Sequence, residues 1–85
     1  MSTPAAIVTG ASRGIGRAVA LQLARDGLAV TVNFVSNQNA ADEVVKEIEA
    51  AGGKAIAVKA DVAQGSQRQS LVDQTLEAWG RIDVL

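Results

Sequence analysis

Short apolar runs alternate along this chain with longer segments in which apolar residues recur every three or four positions. Residues 5–9, 29–34 and 55–60 are continuous runs rich in Ala, Val and Ile, a pattern typical of strands that are buried on both faces. A further run begins at residue 82 and continues to residue 85. The pattern therefore predicts three strands and the start of a fourth.

The first two segments between these runs are predicted to be helices. The first spans about residues 13–26, with Ile15, Val19 and Leu23 on one face and Gly27 in the position of a left-handed cap. The second ends at about residue 51 and is preceded by residues that favour turns and caps, namely Ser36, Asn37 and Asn39. Its apolar stripe comprises Ala41, Val44, Val45 and Ile48.

A third helix is predicted from a capping box, because Ser66 is followed three positions later by Gln69. Its apolar side comprises Val72, Leu76 and Trp79, and Gly80 is expected to end it.

The resulting order is β-α-β-α-β-α-β, which specifies parallel strands with right-handed crossovers. This is the mononucleotide-binding half of a Rossmann-type doubly wound parallel sheet, plus the start of one further strand. Residues 1–85 are thus expected to form a single partial dinucleotide-binding domain. One sheet face and the edge strand would be left largely uncovered, so we expect the chain to be part of a longer polypeptide.

Composition excludes several kinds of chemistry. The sequence has no Cys, His or Tyr, which removes disulfides, thiol nucleophiles, imidazole bases and thiolate or imidazole metal sites. The formal net charge of −1 gives no electrostatic footprint for nucleic acid or an anionic membrane. No apolar run approaches the roughly 20 residues that span a bilayer, and the protein is expected to be cytoplasmic.

A glycine-rich turn joins the first strand to the first helix. Gly10, Gly14 and Gly16 lie within seven residues, and a strand that turns through glycines into a helix presents free backbone N–H groups at the positive end of the helix dipole. The spacing differs from the G-x-G-x-x-G fingerprint, although the physical requirements of a tight turn and close backbone approach are the same. A phosphate site is therefore predicted here.

The stretch Thr9-Gly10-Ala11-Ser12-Arg13-Gly14-Ile15-Gly16 resembles the TGxxxGxG cofactor motif of the short-chain dehydrogenase/reductase family. The Asp61-Val62 pair and residues 80–85 are similar to later landmarks of that family. The resemblance implies that Gly10, Gly14, Ile15 and Gly16 lie along the pyrophosphate and adjoining ribose, and that Ser12 offers a hydroxyl to ribose or phosphate. It also implies that Asp61 faces the adenine amino group and that Val62 packs beside the ring. The alternatives are a helix-capping role for Ser12 and a cap or solvated carboxylate for Asp61.

The end of the second strand bears on the choice between the two nicotinamide cofactors. NAD requires an acid there to hold the ribose 2′-hydroxyl, whereas NADP requires cations or hydroxyls. The slot for the acid falls at or near Phe34, and residues 33–41 contain no Asp or Glu. Arg13 is expected to bind the 2′-phosphate with its planar donor fork, helped by Asn33 and Ser36, unless it is a plain surface cation. NADP(H) is therefore favoured over NAD(H).

Catalytic residues are not assigned. The resembled family passes a proton through a Tyr-x-x-x-Lys motif, and this sequence has no Tyr. The resemblance implies the NADP(H)-binding portion of an oxidoreductase that moves hydride between nicotinamide and a carbonyl or alcohol substrate, inactive alone and forming homo-oligomers when complete. The strand end and residues 52–55 are most similar to 3-oxoacyl-carrier-protein reductases. The alternative is a non-catalytic nucleotide-binding or regulatory module.

Overall fold

Three strands and three helices alternate in the computed structural model, which describes residues 3–12 and 14–84. The elements are β1 (Ala5–Val8), α1 (Gly14–Arg25), β2 (Ala29–Phe34), α2 (Gln38–Ala50), β3 (Ala55–Lys59) and α3 (Gly65–Trp79). The predicted order is confirmed, and β2 has the bounds that its β-branched run predicts. Thr9 belongs to the glycine turn rather than to β1.

The strands form one parallel sheet. β2 lies between β1 and β3, with Ala5 opposite Ala29 and Val30 opposite Ala55. On the free side of β1, Val84 forms a parallel bridge to Ala6. The predicted fourth strand is therefore represented by this bridge within the described residues, and Leu85 lies outside them. The spatial order 3-2-1 followed by the start of a fourth strand is that of a Rossmann-type doubly wound sheet.

The helices cover both faces of the sheet. One apolar cluster joins α1 and α2 to the side chains of Val30, Val32 and Phe34. The alternate residues of β2 point to the opposite face, where Thr31 contacts α3. α3 therefore covers part of the face that was expected to be largely open.

The apolar face predicted for α1 is only partly buried. Ile15 is 84% exposed and Val19 is 42% exposed, whereas Ala20 is the buried residue of this helix. Leu23 is partly buried against the α1–α2 cluster. The physical reason is that α1 approaches the sheet through small residues, which leaves its bulkier aliphatic side chains beside the glycine turn and Val84.

The capping box predicted for α3 is wrong. The helix begins at Gly65, so Ser66 lies inside it, and no side chain caps the first turn. Gln69 instead donates a hydrogen bond to Asp73. The chain direction before the helix is set by Gln67, whose Oε1 accepts the Asp61 N–H at 2.8 Å.

The apolar side predicted for α3 is also shifted. Leu71 and Thr75 are its buried residues, Val72 is half-buried and Leu76 is 43% exposed. Trp79 is partly buried and contacts the sheet through its indole N–H, which donates to Thr31 Oγ1. Because the helix forms a polar contact with the sheet, the apolar positions alone do not define its buried side.

Candidate functional site

The turn between β1 and α1 exposes its backbone. Gly10 and Gly14 have φ values of 60° and 63°, a conformation that L side chains rarely adopt. Apart from adjacent residues and the local helix backbone, no atom of the described residues lies within 4 Å of the position that a Cβ would take at either glycine. The two glycines therefore form a turn whose outer surface a ligand can approach closely.

Gly16 is required for a different reason. A Cβ at this position would lie 2.4 Å from the carbonyl oxygen of Gly10 and 3.1 Å from the Cα of Ala11. The first turn of α1 thus packs directly on the glycine turn, and only a residue without a side chain permits this contact. The first turn of α1 also contains no acidic residue, so no carboxylate within that turn offsets the positive end of the helix dipole.

Asn33 holds the glycine turn against the sheet. The main-chain oxygen of Asn33 accepts the Ala11 N–H at 3.0 Å, and its Oδ1 accepts the Gly10 N–H at 3.4 Å. Its Nδ2 donates to the carbonyls of Val58 and Ala60 at 3.3 and 3.0 Å. Both amide hydrogens are therefore directed at protein acceptors, and Asn33 is 1% exposed. A direct hydrogen bond from Asn33 to a cofactor stays a prediction, but the geometry gives this side chain a bridging role that was not predicted.

Four of the predicted site residues line one cleft. The cleft has a volume of about 270 Å³ and lies between the glycine turn and the loop after β2. Its lining residues are Gly10, Ser12, Phe34, Val35, Ser36 and Asn37. None of these residues is charged, and two carry hydroxyl groups. The cleft is smaller than the roughly 300–1,000 Å³ typical of drug-sized ligands, so it suits part of a dinucleotide, such as a ribose bearing a phosphate.

Phe34 lies at the base of this cleft. The side chain is 4% exposed and belongs to the apolar cluster formed with α1 and α2. The adjacent Val35 is 54% exposed. The position predicted for the NAD-selective acid is therefore part of the core as well as part of the cleft.

Three further predicted site residues line other depressions. Val62 lines a second cleft of about 390 Å³ together with Thr9 and Arg68, and Ile15 lines a third depression with Gly16. Arg13 lies outside the described residues.

Asp61 follows β3 at the carboxyl edge of the sheet. Its Oδ1 accepts the N–H of Ala63 at 3.0 Å, and its own main-chain N–H donates to Gln67. The first contact closes a local turn in the loop rather than capping α3, which begins at Gly65 with no side-chain cap. Together the two contacts fix the backbone that leads into Val62. Neither of them involves a ligand, and the predicted contact with adenine stays a prediction.

A carboxyl group with a lowered pKa, that of Asp83, lies at the opposite end of the sheet. Two hydrogen bonds from the Arg81 guanidinium, at 2.7 and 2.6 Å, hold the pKa of Asp83 below its usual range. The Ala5 N–H contributes in the same direction by donating to Asp83 Oδ2 at 2.9 Å. This pair joins the start of the fourth strand to the amino end of β1, and so it belongs to the scaffold.

These features fit a phosphorylated nucleotide. Gly10 and Gly14 place no side chain above the turn, the start of α1 provides the positive end of a helix dipole, and the adjoining cleft supplies hydroxyls without a carboxylate that would repel a phosphate. Among the described residues, the helices are all too short or too polar to cross a membrane.

Comparison with known proteins identifies relatives over nearly the whole chain. A family model described as short chain dehydrogenase matches residues 4–85. An uncharacterized oxidoreductase of Methylorubrum extorquens is 58% identical over 80 residues, covering 94% of this chain and 32% of that protein. A 3-oxoacyl-[acyl-carrier-protein] reductase of Synechocystis is 52% identical over 85 residues, covering 100% of this chain and 34% of that protein.

Solved structures agree with these matches. The crystal structure of a dehydrogenase/reductase from Sinorhizobium meliloti superposes with a TM-score of 0.94 at 41% identity, covering 99% of this chain and 34% of that one. A hydroxysteroid dehydrogenase from Escherichia coli gives a TM-score of 0.92 at 36% identity, covering 96% of this chain and 34% of that one. The chain therefore spans about a third of the length of the relatives that it matches.

Proposed function

This chain belongs to the short-chain dehydrogenase family, and we propose that it forms the NADP(H)-binding portion of a longer oxidoreductase. The observation that carries the proposal is that Gly10, Ser12, Phe34 and Ser36 line the same cleft, between the glycine turn and the end of β2. A nicotinamide cofactor, when bound, accepts or donates the hydride. The residues of this chain hold and orient it.

The glycine turn binds the pyrophosphate. Gly10 and Gly14 leave open space above the backbone, and Gly16 allows α1 to start directly against the turn. The backbone N–H groups at the start of α1 then point at the phosphate oxygens, and the helix dipole favours their negative charge. Ile15, at the first turn of α1, adjoins the ribose, while Asp61 and Val62 contact the adenine.

Selectivity for NADP(H) follows from the groups around the cleft. A carboxylate at the end of β2 would hold the 2′-hydroxyl of NAD and repel the 2′-phosphate of NADP. The cleft is lined there by Phe34, Val35 and Ser36, none of which is acidic. Ser12 and Ser36 offer hydroxyl donors, and Arg13 supplies the positive charge that a phosphate requires.

The substrate is a carbonyl or alcohol compound, and we favour a 3-oxoacyl thioester because one of the similar proteins is a 3-oxoacyl-[acyl-carrier-protein] reductase. We assign no catalytic role to residues 1–85, which by themselves bind cofactor without turning it over. The complete enzyme is proposed to act as a cytoplasmic homo-oligomer.

Titration of the full chain with NADPH and NADH tests the proposal. We expect NADPH to bind at least about tenfold more tightly, since a charge-assisted hydrogen bond to the 2′-phosphate contributes about 1.5–3 kcal/mol. Equal affinities would overturn the NADP selectivity, and binding of neither would overturn the cofactor site. Consumption of NADPH by the complete longer protein, in the presence of a short 3-oxoacyl thioester, then separates the enzyme from a module that binds nucleotide without catalysis.

A further inference from the structure

We propose that Asn33 is a positioning residue that fixes the spacing between the two parts of the dinucleotide site, the glycine turn and the segment after β3. The inference rests on the proposed function. In this role Asn33 contacts neither the phosphate nor the adenine. It acts through the two backbone segments to which it is hydrogen-bonded.

The contacts of Asn33 join three strands at their carboxyl ends. Its main-chain oxygen and its Oδ1 accept N–H groups of the turn after β1, at Ala11 and Gly10. Its Nδ2 donates to Ala60 O at 3.0 Å and to Val58 O at 3.3 Å, both at the end of β3. The Gly10 hydrogen bond, at 3.4 Å, is longer than the usual 2.9–3.0 Å, so the firmest side-chain contact is the one to Ala60.

Because Asn33 is buried, the loss of its hydrogen bonds is energetically costly. Asn33 is 1% exposed, and no buried side-chain polar atom among residues 3–12 and 14–84 lacks a hydrogen-bond partner. An apolar side chain at this position would leave the carbonyl of Ala60 without its donor in the protein interior, where a lost partner is costly. The carbonyls would be expected to turn toward another donor, and the segment that follows Ala60 would move with them.

The position of that segment matters for the ligand. Ala60 directly precedes Asp61 and Val62, the residues proposed to contact adenine, while Gly10 belongs to the turn proposed to hold the pyrophosphate. A dinucleotide binds both segments at once, and its affinity therefore depends on the distance between them. A ligand that binds only one segment does not depend on that distance.

The test compares Asn33→Leu with Thr31→Val in the full chain. Thr31 is also a buried polar residue of β2, but its hydroxyl contacts α3 rather than the glycine turn. Affinities for NADPH and for free adenine, which carries neither a ribose nor a phosphate and so contacts only the segment after β3, are measured calorimetrically. The temperature is chosen so that all variants are folded by circular dichroism.

Asn33→Leu is expected to weaken NADPH at least about fivefold while leaving adenine within about twofold, because one buried hydrogen bond corresponds to about 1 kcal/mol and the loss of its partner adds to this. Thr31→Val is expected to leave both affinities unchanged. Equal losses for the two ligands, no loss for NADPH, or the same pattern in Thr31→Val would each overturn the inference. If the unsubstituted chain binds neither NADPH nor NADH, the proposed function itself is overturned.

Discussion

A Cβ at position 16 would lie 2.4 Å from the carbonyl oxygen of Gly10. Real Cβ atoms do not approach backbone oxygen so closely, so Gly16→Ala must displace either the turn or the start of α1. We expect Gly16→Ala to lower the free energy of unfolding and to weaken NADPH binding by about tenfold or more, despite the roughly 1 kcal/mol that alanine gains over glycine in a helix. Urea unfolding and calorimetric titration measure the two effects.

Gly27→Ala is the matched variant, since this residue follows the far end of α1, and a Cβ there meets no atom beyond its neighbours in the chain but must adopt a φ of 95°. Its cost is limited to backbone strain of about 1–2 kcal/mol. If Gly16→Ala binds NADPH as tightly as Gly27→Ala does, the contact between α1 and the turn does not determine the site.

Local signals predicted some elements well and others poorly. β2 has its predicted bounds because its β-branched run is flanked by turn residues on both sides. The Ser66–Gln69 capping box is wrong because the helix begins at Gly65, before Ser66, and it is Gln67 that contacts the backbone ahead of the helix, at Asp61. A capping motif specifies only local hydrogen bonds, which a contact outside the motif can replace.

Local sequence signals also predicted only part of the candidate site. The glycine spacing predicted the turn, and residues at the end of β2 line the cleft beside it. The role of Asn33 was not predictable, because it depends on carbonyls 25 and 27 positions away in the sequence. Its one visible signal is an amide side chain in a strand otherwise made of Ala, Val, Thr and Phe, which on its own does not reveal what the residue contacts.

Replacement of Arg13 tests the origin of NADP selectivity. We expect Arg13→Ala to weaken NADPH about tenfold and to leave NADH within about twofold, since only the 2′-phosphate requires the guanidinium. Arg17→Ala is the matched control, because Arg17 is a cation of α1 that pairs with Glu47 of α2 and does not line the cleft. Equal losses for the two cofactors in Arg13→Ala would show that Arg13 acts elsewhere.

A carboxylate at the base of the cleft is expected to reverse the preference. Phe34→Asp should favour NADH, because the acid can accept the 2′-hydroxyl and repels a 2′-phosphate. Phe34 is 4% exposed, so the substitution also removes core packing, which costs about 3–5 kcal/mol when a buried Phe is truncated.

Phe34→Asn separates the two effects, since it loses the same packing without adding charge. The ratio of NADPH to NADH affinity, measured for both variants under conditions in which they are folded, isolates the charge. The same ratio in Phe34→Asp and Phe34→Asn would place the selective position elsewhere, with the exposed Val35 as the next candidate.

Asp83 gives the stability a defined dependence on pH. Its pKa is lowered in the folded chain by the hydrogen bonds from Arg81 and then by the Ala5 N–H. A carboxyl group with a lowered folded pKa contributes stability that is present above its unfolded pKa of about 3.9 and is lost as the pH falls through the folded value. We therefore expect Asp83→Asn to be less stable than the unsubstituted chain at neutral pH, with the difference shrinking below about pH 4.

Thermal unfolding across this pH range measures the effect of Asp83→Asn. Glu43→Gln removes the same charge from an exposed position of α2 and serves as the control. If the difference between Asp83→Asn and the unsubstituted chain is constant with pH, the stabilisation comes from packing rather than from the ionised carboxylate.

Trp79 reports on the contact between α3 and the sheet. Its indole N–H donates to Thr31 Oγ1 at 3.1 Å, and the Thr75 hydroxyl lies 3.1 Å from the same oxygen. Thr31→Val removes this acceptor while keeping the shape of the side chain, so we expect a loss of about 1–3 kcal/mol in the free energy of unfolding. Because Trp79 is the single tryptophan of the chain, its fluorescence should also change in the folded state.

Thr31→Ser is the control, because it retains the hydroxyl and should keep the fluorescence spectrum of the unsubstituted chain. A spectrum unaltered by Thr31→Val would show that the indole hydrogen bond does not hold α3 in place.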